Sequence, residues 1–271
     1  MRSTKIDYMT CIGLALGILT IFVANHFEGG HLDSLLNPAA AIIVIGGSVA
    51  AVFLQSTRAT LIKSSQILPW VIFPPSISLE KLNQKIMEWS WAIRRDGLAG
   101  VQNFIFKEQN PFYRQGLQLV MDGEDPQRIA DILLRDIESE NHRATHAANI
   151  FESMAGYAPT MGILGAVLGL IHVMGNLANP SQLGSGIATA FVATIYGVGF
   201  SNLIFFPIAR KCRFYIQLRN QEHMMILEGL VAIAEGENPR MIQQRLTAYY
   251  EKPEITTLLS SKQDNKSAQF S

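Results

Sequence analysis

The stretch that decides the fold is residues 155–207, AGYAPTMGILGAVLGLIHVMGNLANPSQLGSGIATAFVATIYGVGFSNLIFFP. It contains two apolar runs of about 20 residues each, the length with which an α-helix crosses a bilayer. The turn-like segment NLANPSQLGSG (176–186) joins them, and no Lys, Arg, Asp or Glu occurs in residues 154–209. We therefore expect a membrane-spanning helical hairpin.

Composition limits the class of protein. Hydrophobic residues make up 48% of the 271 residues and charged residues 16%, yet the mean hydropathy is only +0.18. These values indicate a membrane protein with a large water-exposed part. The net charge is zero, so the whole chain predicts no nucleic-acid partner. Neither Cys11 nor Cys212 has the spacing of a metal site or a disulfide framework, and we expect no metal and no cofactor.

Two further apolar stretches precede the hairpin. The first, residues 6–27, is longer than the apolar region of a signal peptide and has no small-residue cleavage site after it. Asn37 and Pro38 open the second, which ends near Gln55. The prediction is an all-α, polytopic membrane protein with four transmembrane helices and a helical cytoplasmic domain.

Polar segments divide the chain into five predicted parts. Ser78 is a predicted N-cap, Gly97 a predicted helix end, and Asp125 with Pro126 starts a helix that meets no breaker before the third span. The parts are transmembrane helices 1 and 2 (1–55), a cytoplasmic helical domain (56–152), transmembrane helices 3 and 4 (153–209), C-terminal cytoplasmic helices (210–250) and a disordered tail (251–271).

Basic residues predict the topology. No Lys or Arg occurs in residues 9–57 or 144–209, so all 22 lie on one side of the four spans. Because cytoplasmic loops are enriched in Lys and Arg, both termini and residues 56–152 are predicted to be cytoplasmic.

The spans contain hydroxyl groups but no acid near their centres. His172 lies near one end of the third span, where a lone histidine is more often structural than a proton relay. Two interpretations of Thr160, Thr194 and Tyr196 stay open. Either each hydroxyl bonds within its own helix, or the group lines a path for water or a small cation.

Small residues and prolines are the other unusual feature of the hairpin. Gly162 and Ala166 have the four-residue spacing of close helix packing. Pro159 and Pro207 lack the amide hydrogen that closes a helical turn, so both positions are predicted kinks. Whether these kinks are hinges or static bends stays open.

These segments resemble a known family. APTMGILGAVLGLI (158–171) and IATAFVATIYGVGFSNLIFFPIA (187–209) are similar to the third and fourth spans of the MotA/PomA family of flagellar stator proteins. IIVIGGS (42–48) is similar to the second span, and AIRRDGLAG (92–100) resembles the arginine-containing cytoplasmic motif. The resemblance covers nearly the whole chain up to the polar tail.

The resemblance implies a flagellar motor stator subunit, which forms an ion channel with a MotB-like partner and converts ion flow into torque. The single-span partner supplies a transmembrane aspartate, and a pentameric ring of this chain surrounds it. The cytoplasmic segment contacts the rotor protein FliG. The ring lies among the lipids of the bacterial inner membrane as a multi-pass protein, and Pro159 and Pro207 correspond to the family's functional prolines.

The resemblance also assigns rotor contacts. Arg94 or Arg95 corresponds to the family's loop arginine, and the spacing favours Arg94. The family usually has a glutamate eight residues later, where this chain has Gln102. Asp96, Glu108 or the basic residues are therefore the alternative contacts. The two arginines also fit a solvated helix C-terminus, where cations are favoured.

Two substitutions bear on the transported ion. In sodium-type relatives a threonine usually stands where this chain has Ala166, and an aspartate where it has Asn37, whereas Thr194 is retained. A sodium ion needs several oxygen ligands to replace its water. The loss of a hydroxyl and a carboxylate therefore favours H+ over Na+.

Other functions fit the sequence less well. A TolQ/ExbB-like energising subunit of an envelope proton-motive-force system is the alternative, but those relatives usually have three spans and lack the RRDG-type loop. A self-sufficient transporter needs an ion-binding acid in its own spans. No metal-ligand spacing, nucleophile elbow or phosphate-binding loop occurs in the sequence, so no enzyme activity is predicted.

Overall fold

A computed structural model describes residues 6–29, 35–175 and 180–249, with the backbone alone described at residues 180–182 and 185. Within these ranges the chain is helical and contains no β-strand, which confirms the predicted all-α class. The predicted disordered tail (251–271) lies outside the described residues.

The described residues form ten helices. They are α1 (Tyr8–Phe27), α2 (Pro38–Gln55), α3 (Arg58–Ile67), α4 (Leu79–Asp96), α5 (Gln102–Lys107), α6 (Pro111–Met121), α7 (Pro126–Gly175), α8 (Pro180–Phe200), α9 (Phe206–Ala234) and α10 (Pro239–Thr247). A π-helical segment, Ile42–Gly46, lies within α2, and another, Ser201–Phe205, joins α8 to α9. Short 3-10 segments, Leu68–Val71 and Leu98–Val101, follow α3 and α4.

The predicted helix starts are confirmed by capping hydrogen bonds. The Asn37 side chain accepts from the Ala40 amide at 3.0 Å, and Ser78 Oγ accepts from the amide three residues on at 3.4 Å. Asp125 caps α7 in the same way, with its Oδ1 2.9 Å from the Gln127 amide nitrogen. These bonds satisfy amide groups that have no partner inside their own helices.

The predicted turn over residues 176–186 is wrong in its second part. Residues 176–179 lie outside the described residues, but α8 already begins at Pro180. Proline fits a first helical position because its missing amide hydrogen has no partner there and its φ angle already suits a helix. The composition of the segment concealed this helix start.

One compact unit contains the described residues within 1–76 and 142–216. Four helices are long and apolar enough to cross a membrane: α1, α2, α7, and the continuous helix from α8 into α9. This confirms the four predicted spans, the last of which is the charge-free part that ends at Ala209. No residue of α1 is buried within the described chain, so its apolar side chains are free to face lipid or another subunit.

The second unit contains residues 77–141 and the described residues from 217 to 249. Its described helices are amphipathic and enclose an apolar core, whose fully buried members include Ile86, Trp89, Leu117, Ile129, Leu133, Met225, Ile226, Leu230, Ile242 and Leu246. The unit boundaries near 76 and 141 fall inside the predicted 56–152 segment. The five-part division from the sequence stays a prediction.

A polar cluster lies at the edge of this core. The Tyr113 hydroxyl donates a hydrogen bond to the Glu222 carboxylate, and burial raises the pKa of Glu222. His223 stacks on Phe112 with 4.3 Å between ring centroids, and its buried Nε2 has no hydrogen-bond partner among the described residues. Burial lowers the pKa of His223 from 6.5 to about 4.

Because His223 has a lowered pKa, we expect the stability of the second unit to decrease in acid. As the pH falls from 6.5 toward about 4, the unfolded chain gains a proton at His223 while the folded chain does not, so stability is lost over that window. We expect a loss of roughly 1–3 kcal/mol, measured by thermal unfolding of the purified protein in detergent. The matched variant is His223→Gln, which removes the titration.

The difference in stability loss between the wild type and His223→Gln gives the contribution of the histidine. The raised pKa of Glu222 stabilises the folded protein as the pH falls, which opposes the effect of His223. Glu222 is present in both the wild type and the variant, so its contribution cancels in the comparison. Equal loss of stability in the wild type and His223→Gln would contradict the prediction.

Candidate ion path

Helices α7 and α8 approach each other at glycines. A Cβ atom added at Gly197 would lie 2.6 Å from the Ala158 carbonyl oxygen, and one at Gly162 would lie 2.9 Å from the Ala193 carbonyl oxygen. Both separations are shorter than real Cβ contacts, so backbone packs directly on backbone. Gly162, one member of the predicted small-residue pair, therefore lies at the contact of the two helices.

The start of α2 is held on α8 by uncharged polar groups. Asn37 Nδ2 donates to Thr189 Oγ1 at 2.7 Å, and the Tyr196 hydroxyl donates to the Leu35 carbonyl at 2.6 Å. The Asn37 amide in turn donates to the Tyr196 hydroxyl at 3.3 Å. Tyr196, predicted to line the ion path, is thus also a structural tie between two spans.

The two threonines predicted to line the path each bond within their own helix. Thr160 Oγ1 donates to the Tyr157 carbonyl at 2.8 Å, and Thr194 Oγ1 donates to the Ala190 carbonyl at 3.3 Å. Both threonines are nevertheless exposed on the single chain, and Ala166 is half-buried. Their surfaces are therefore accessible to a second subunit, and their part in an ion path stays a prediction.

Neither proline ends its helix. Pro159 lies inside α7, which stays helical on both sides of it. Pro207 is the second residue of α9, and α9 begins directly after the π-helical segment Ser201–Phe205. Ser201 Oγ donates to the Ala155 carbonyl at 2.7 Å and is buried. An irregular backbone segment thus precedes Pro207, whereas α7 stays α-helical through Pro159, and the hinge role of both prolines stays a prediction.

A second polar contact between distant parts of this unit, made by Lys211, was not predicted from the sequence. Lys211 forms an ion pair with Asp7, the cap of α1, and also donates to Thr10. The hydrogen bond from Lys211 holds the pKa of Asp7 below its usual value. No spacing rule pairs residues 204 positions apart, so only the folded chain reveals this contact.

The predicted rotor-contact residues lie around the C-terminal end of α4 in the second unit. Arg95 and Asp96 form an ion pair, with 2.7 Å between Nη2 and Oδ2. This pairing lowers the pKa of Asp96 and raises that of Arg95. Arg94 and Gln102 are also exposed, so four of the five predicted residues lie at the surface.

Glu108 differs from the other four. Its side chain is only 7% exposed, forms an ion pair with Lys85, and accepts from the Asn110 amide at 2.9 Å. The carboxylate is therefore engaged within its own unit, which leaves little of it for contact with another protein.

Sequence reasoning missed an exposed tryptophan beside these residues. Trp91 is 51% exposed, whereas Trp89 is fully buried. Two residues correspond to about 200° around an α-helix, so the two rings point to opposite faces. Trp91 lines a groove of about 890 Å³ together with Asn83, Gln84, Met87, Glu88, Ala92, Arg95, Asp96, Ala99, Gly100, Asn103, Phe104, Lys107 and Gln243.

Comparisons with known proteins agree with this architecture. Residues 105–225 match the model of the MotA/TolQ/ExbB proton channel family. The chain is 31% identical to Motility protein A of Bacillus subtilis over 90% of each chain. It is 29% identical to Chemotaxis protein PomA of Vibrio alginolyticus over 90% of this chain and 95% of that one. A chain of the flagellar MotAB stator complex from Bacillus subtilis superimposes with a TM-score of 0.80 at 30% identity, covering 94% of this chain and 99% of that chain.

Proposed function

This chain belongs to the motility protein A family, and from that premise we propose that it is a flagellar motor stator subunit. It forms an ion channel with a MotB-like partner and converts ion flow into torque. The observation that supports this best is the charge-free, glycine-packed hairpin within residues 154–209, in a fold that matches a chain of a MotAB stator complex. The TolQ/ExbB-like alternative is not favoured, because the matched motility proteins align over about nine-tenths of the chain.

The missing acid explains the need for a partner. No Asp or Glu occurs in residues 8–27, 38–55 or 154–209, which form the four spans. A path that moves ions through the membrane normally needs an ionisable group within it. The MotB-like partner provides that group as a transmembrane aspartate, and the threonines of α7 and α8 face it.

The assembly surrounds this partner as a ring. The protein is a multi-pass protein of the inner membrane, in an oligomeric complex with its MotB-like partner. The ring is a pentamer, α1 faces lipid with its unburied apolar side chains, and both termini are cytoplasmic because the basic residues lie on that side. In this topology the second unit lies in the cytoplasm.

The rotor-facing surface lies on the second unit. We assign the contact with the rotor protein FliG to the exposed residues Arg94, Arg95, Asp96 and Gln102. Trp91 lines one groove with Arg95 and Asp96. Exposed charges next to an accessible tryptophan suit a contact that forms and breaks as the rotor turns. The charges steer the encounter, and the indole of Trp91 adds apolar contact area. Glu108 is the least suited of the predicted contacts, since it is paired with Lys85.

The transported ion is proposed to be H+. Ala166 offers no hydroxyl, and Asn37 uses its side chain on Thr189 and on the amide of Ala40. A dehydrated sodium ion would lack ligands there, whereas a proton needs only the partner's carboxylate and a chain of water. We expect rotation in stator-deleted cells complemented with this chain and its MotB-like partner to collapse with an uncoupler and to be unaffected by external sodium.

The same experiment tests the function itself. Cells that lack either chain should not rotate their flagella, and cells that carry both should. Failure of the complete pair to restore rotation in a cell of its own species would contradict the stator assignment. Rotation that follows external sodium and survives the uncoupler would contradict the proton assignment alone.

Thr194 is the path residue with the clearest test. Thr194→Ala should lower ion flux and torque at high load several-fold while leaving assembly with the partner unchanged, because the lost hydrogen bond lies within one helix. Thr20→Ala is the matched control, since Thr20 makes the same bond to its own helix in α1, at 2.8 Å, and is also exposed. Flux that falls equally in both variants, or in neither, would remove Thr194 from the path.

A further inference from the structure

Pro159 leaves one carbonyl of α7 without its helical partner. In an α-helix the amide of residue i donates to the carbonyl of residue i−4, so the amide missing at Pro159 is the one that the Ala155 carbonyl requires. Ala155 is fully buried, and a buried carbonyl without a donor is costly.

Ser201 provides the missing donor. Its Oγ lies 2.7 Å from the Ala155 carbonyl oxygen, 46 residues away along the chain, and the bond is buried. A buried serine in a helix often donates to its own helix instead, as Ser48 does to the Val44 carbonyl at 2.7 Å. Ser201 thus serves the one carbonyl in α7 that Pro159 deprives of a partner.

The same residue also begins the irregular turn before Pro207. Ser201 is the first residue of the π-helical segment, and its carbonyl accepts from the Phe206 amide, one residue before Pro207. Val44, Ala155, Ala158 and Phe205 are buried together around this point. The two proline turns are therefore joined through the side chain of Ser201 on one side and its backbone on the other.

We propose that Ser201 is a positioning residue of the ion path, which couples the α7 turn at Pro159 to the π-helical turn before Pro207. This inference rests on the proposed stator function. A rearrangement at either proline must displace Ser201, and hence the other proline, or break the bond to Ala155. Ion passage beside Thr160 and Thr194 is thereby linked to both proline turns.

A double-mutant cycle tests the bond in the purified complex with the MotB-like partner. Ser201→Ala should lower the melting temperature, with a roughly tenfold change in the folding equilibrium constant. In a Pro159→Ala chain the restored amide can donate to Ala155, so Ser201→Ala should then have little further effect. An equal loss in both backgrounds would mean that Ser201 only fills space, and would overturn the proposal.

Ser48→Ala is the matched control for this cycle. Ser48 is equally buried and makes the same type of bond, but the Val44 carbonyl keeps the Gly47 amide as a second donor. Its effect should be small and independent of residue 159. Should the Pro159→Ala complex not assemble, Ser201→Thr and Ser201→Val provide the comparison, since they have nearly the same shape and only threonine keeps the hydroxyl.

Rotation at high load tests the role in the motor. We expect Ser201→Thr to retain most of the wild-type torque and Ser201→Val to lose it several-fold at equal amounts of assembled complex. Equal torque in the two variants would overturn the positioning role. If the wild-type pair itself fails to rotate the flagellum, the stator function fails, whereas the melting-temperature cycle still reports on the bond.

Discussion

Replacing Gly197 with valine is expected to destroy the packing of α7 on α8 and to abolish rotation. Even a single Cβ atom at this position would lie 2.6 Å from the Ala158 carbonyl oxygen and 3.1 Å from the Cα atoms of Gly162 and Pro159. These neighbours are backbone atoms of a continuous helix, so no side-chain movement can relieve the clash. We expect a loss of at least about 3 kcal/mol, at the upper end for overpacked sites.

The chain offers a matched control two residues away. A Cβ atom at Gly199 meets no heavy atom within 4 Å, so Gly199→Val changes helix propensity by the same amount without the clash. We expect that variant to assemble and rotate normally, with a stability change within about 0.5 kcal/mol. Recovery of the complex from membranes and its melting temperature are the measurements, and a Gly197→Val complex as stable as Gly199→Val would contradict the backbone contact.

Trp89→Ala is expected to unfold or severely weaken the second unit. The ring is fully buried among the core helices and lies edge-on to Tyr113, with 6.3 Å between ring centroids. Removing a buried aromatic side chain costs about 3–5 kcal/mol, because contacts are lost and a cavity remains. Its Nε1 has no hydrogen-bond partner among the described residues, so Trp89→Phe should cost much less.

Trp91→Ala separates stability from contact with the rotor. Because Trp91 is half exposed, its removal should change the melting temperature of the purified protein very little. If the groove beside Arg95 and Asp96 contacts FliG, torque should nevertheless fall several-fold while the complex stays assembled. Normal torque in Trp91→Ala would exclude the tryptophan from the rotor contact, and a large loss of stability would show that its exposed position is wrong.

The spans were predictable because they depend on a local property. A helix crosses a membrane when about 20 successive residues are apolar, and this needs no knowledge of the rest of the chain. The starts at Asn37, Ser78 and Asp125 were predictable for the same reason, since a cap bonds to an amide two or three residues on. The start of α8 at Pro180 was missed because turn and helix N-terminus share the same residues.

The sequence predicted which types of residue form the candidate site but not the contacts that they make. The sequence revealed a hairpin without charge, rich in small residues and interrupted by Pro159, but not which hydroxyl meets which carbonyl. Thr160 and Thr194 had two open interpretations, and the structure shows that both bond within their own helices while remaining exposed. The ion pair of Glu108 cannot be read from the sequence, because its partner Lys85 lies 23 positions earlier in the chain.

By itself, the sequence determined that this is a four-span helical protein whose spans have no acid of their own, because hydropathy and charge are properties of single residues in order. Only the tertiary structure decided that Gly162 and Gly197 bring two backbones together, and that Ser201 donates to the Ala155 carbonyl, whose usual helical donor is missing at Pro159. Those contacts join residues distant in the chain, and their geometry arises only when the helices pack.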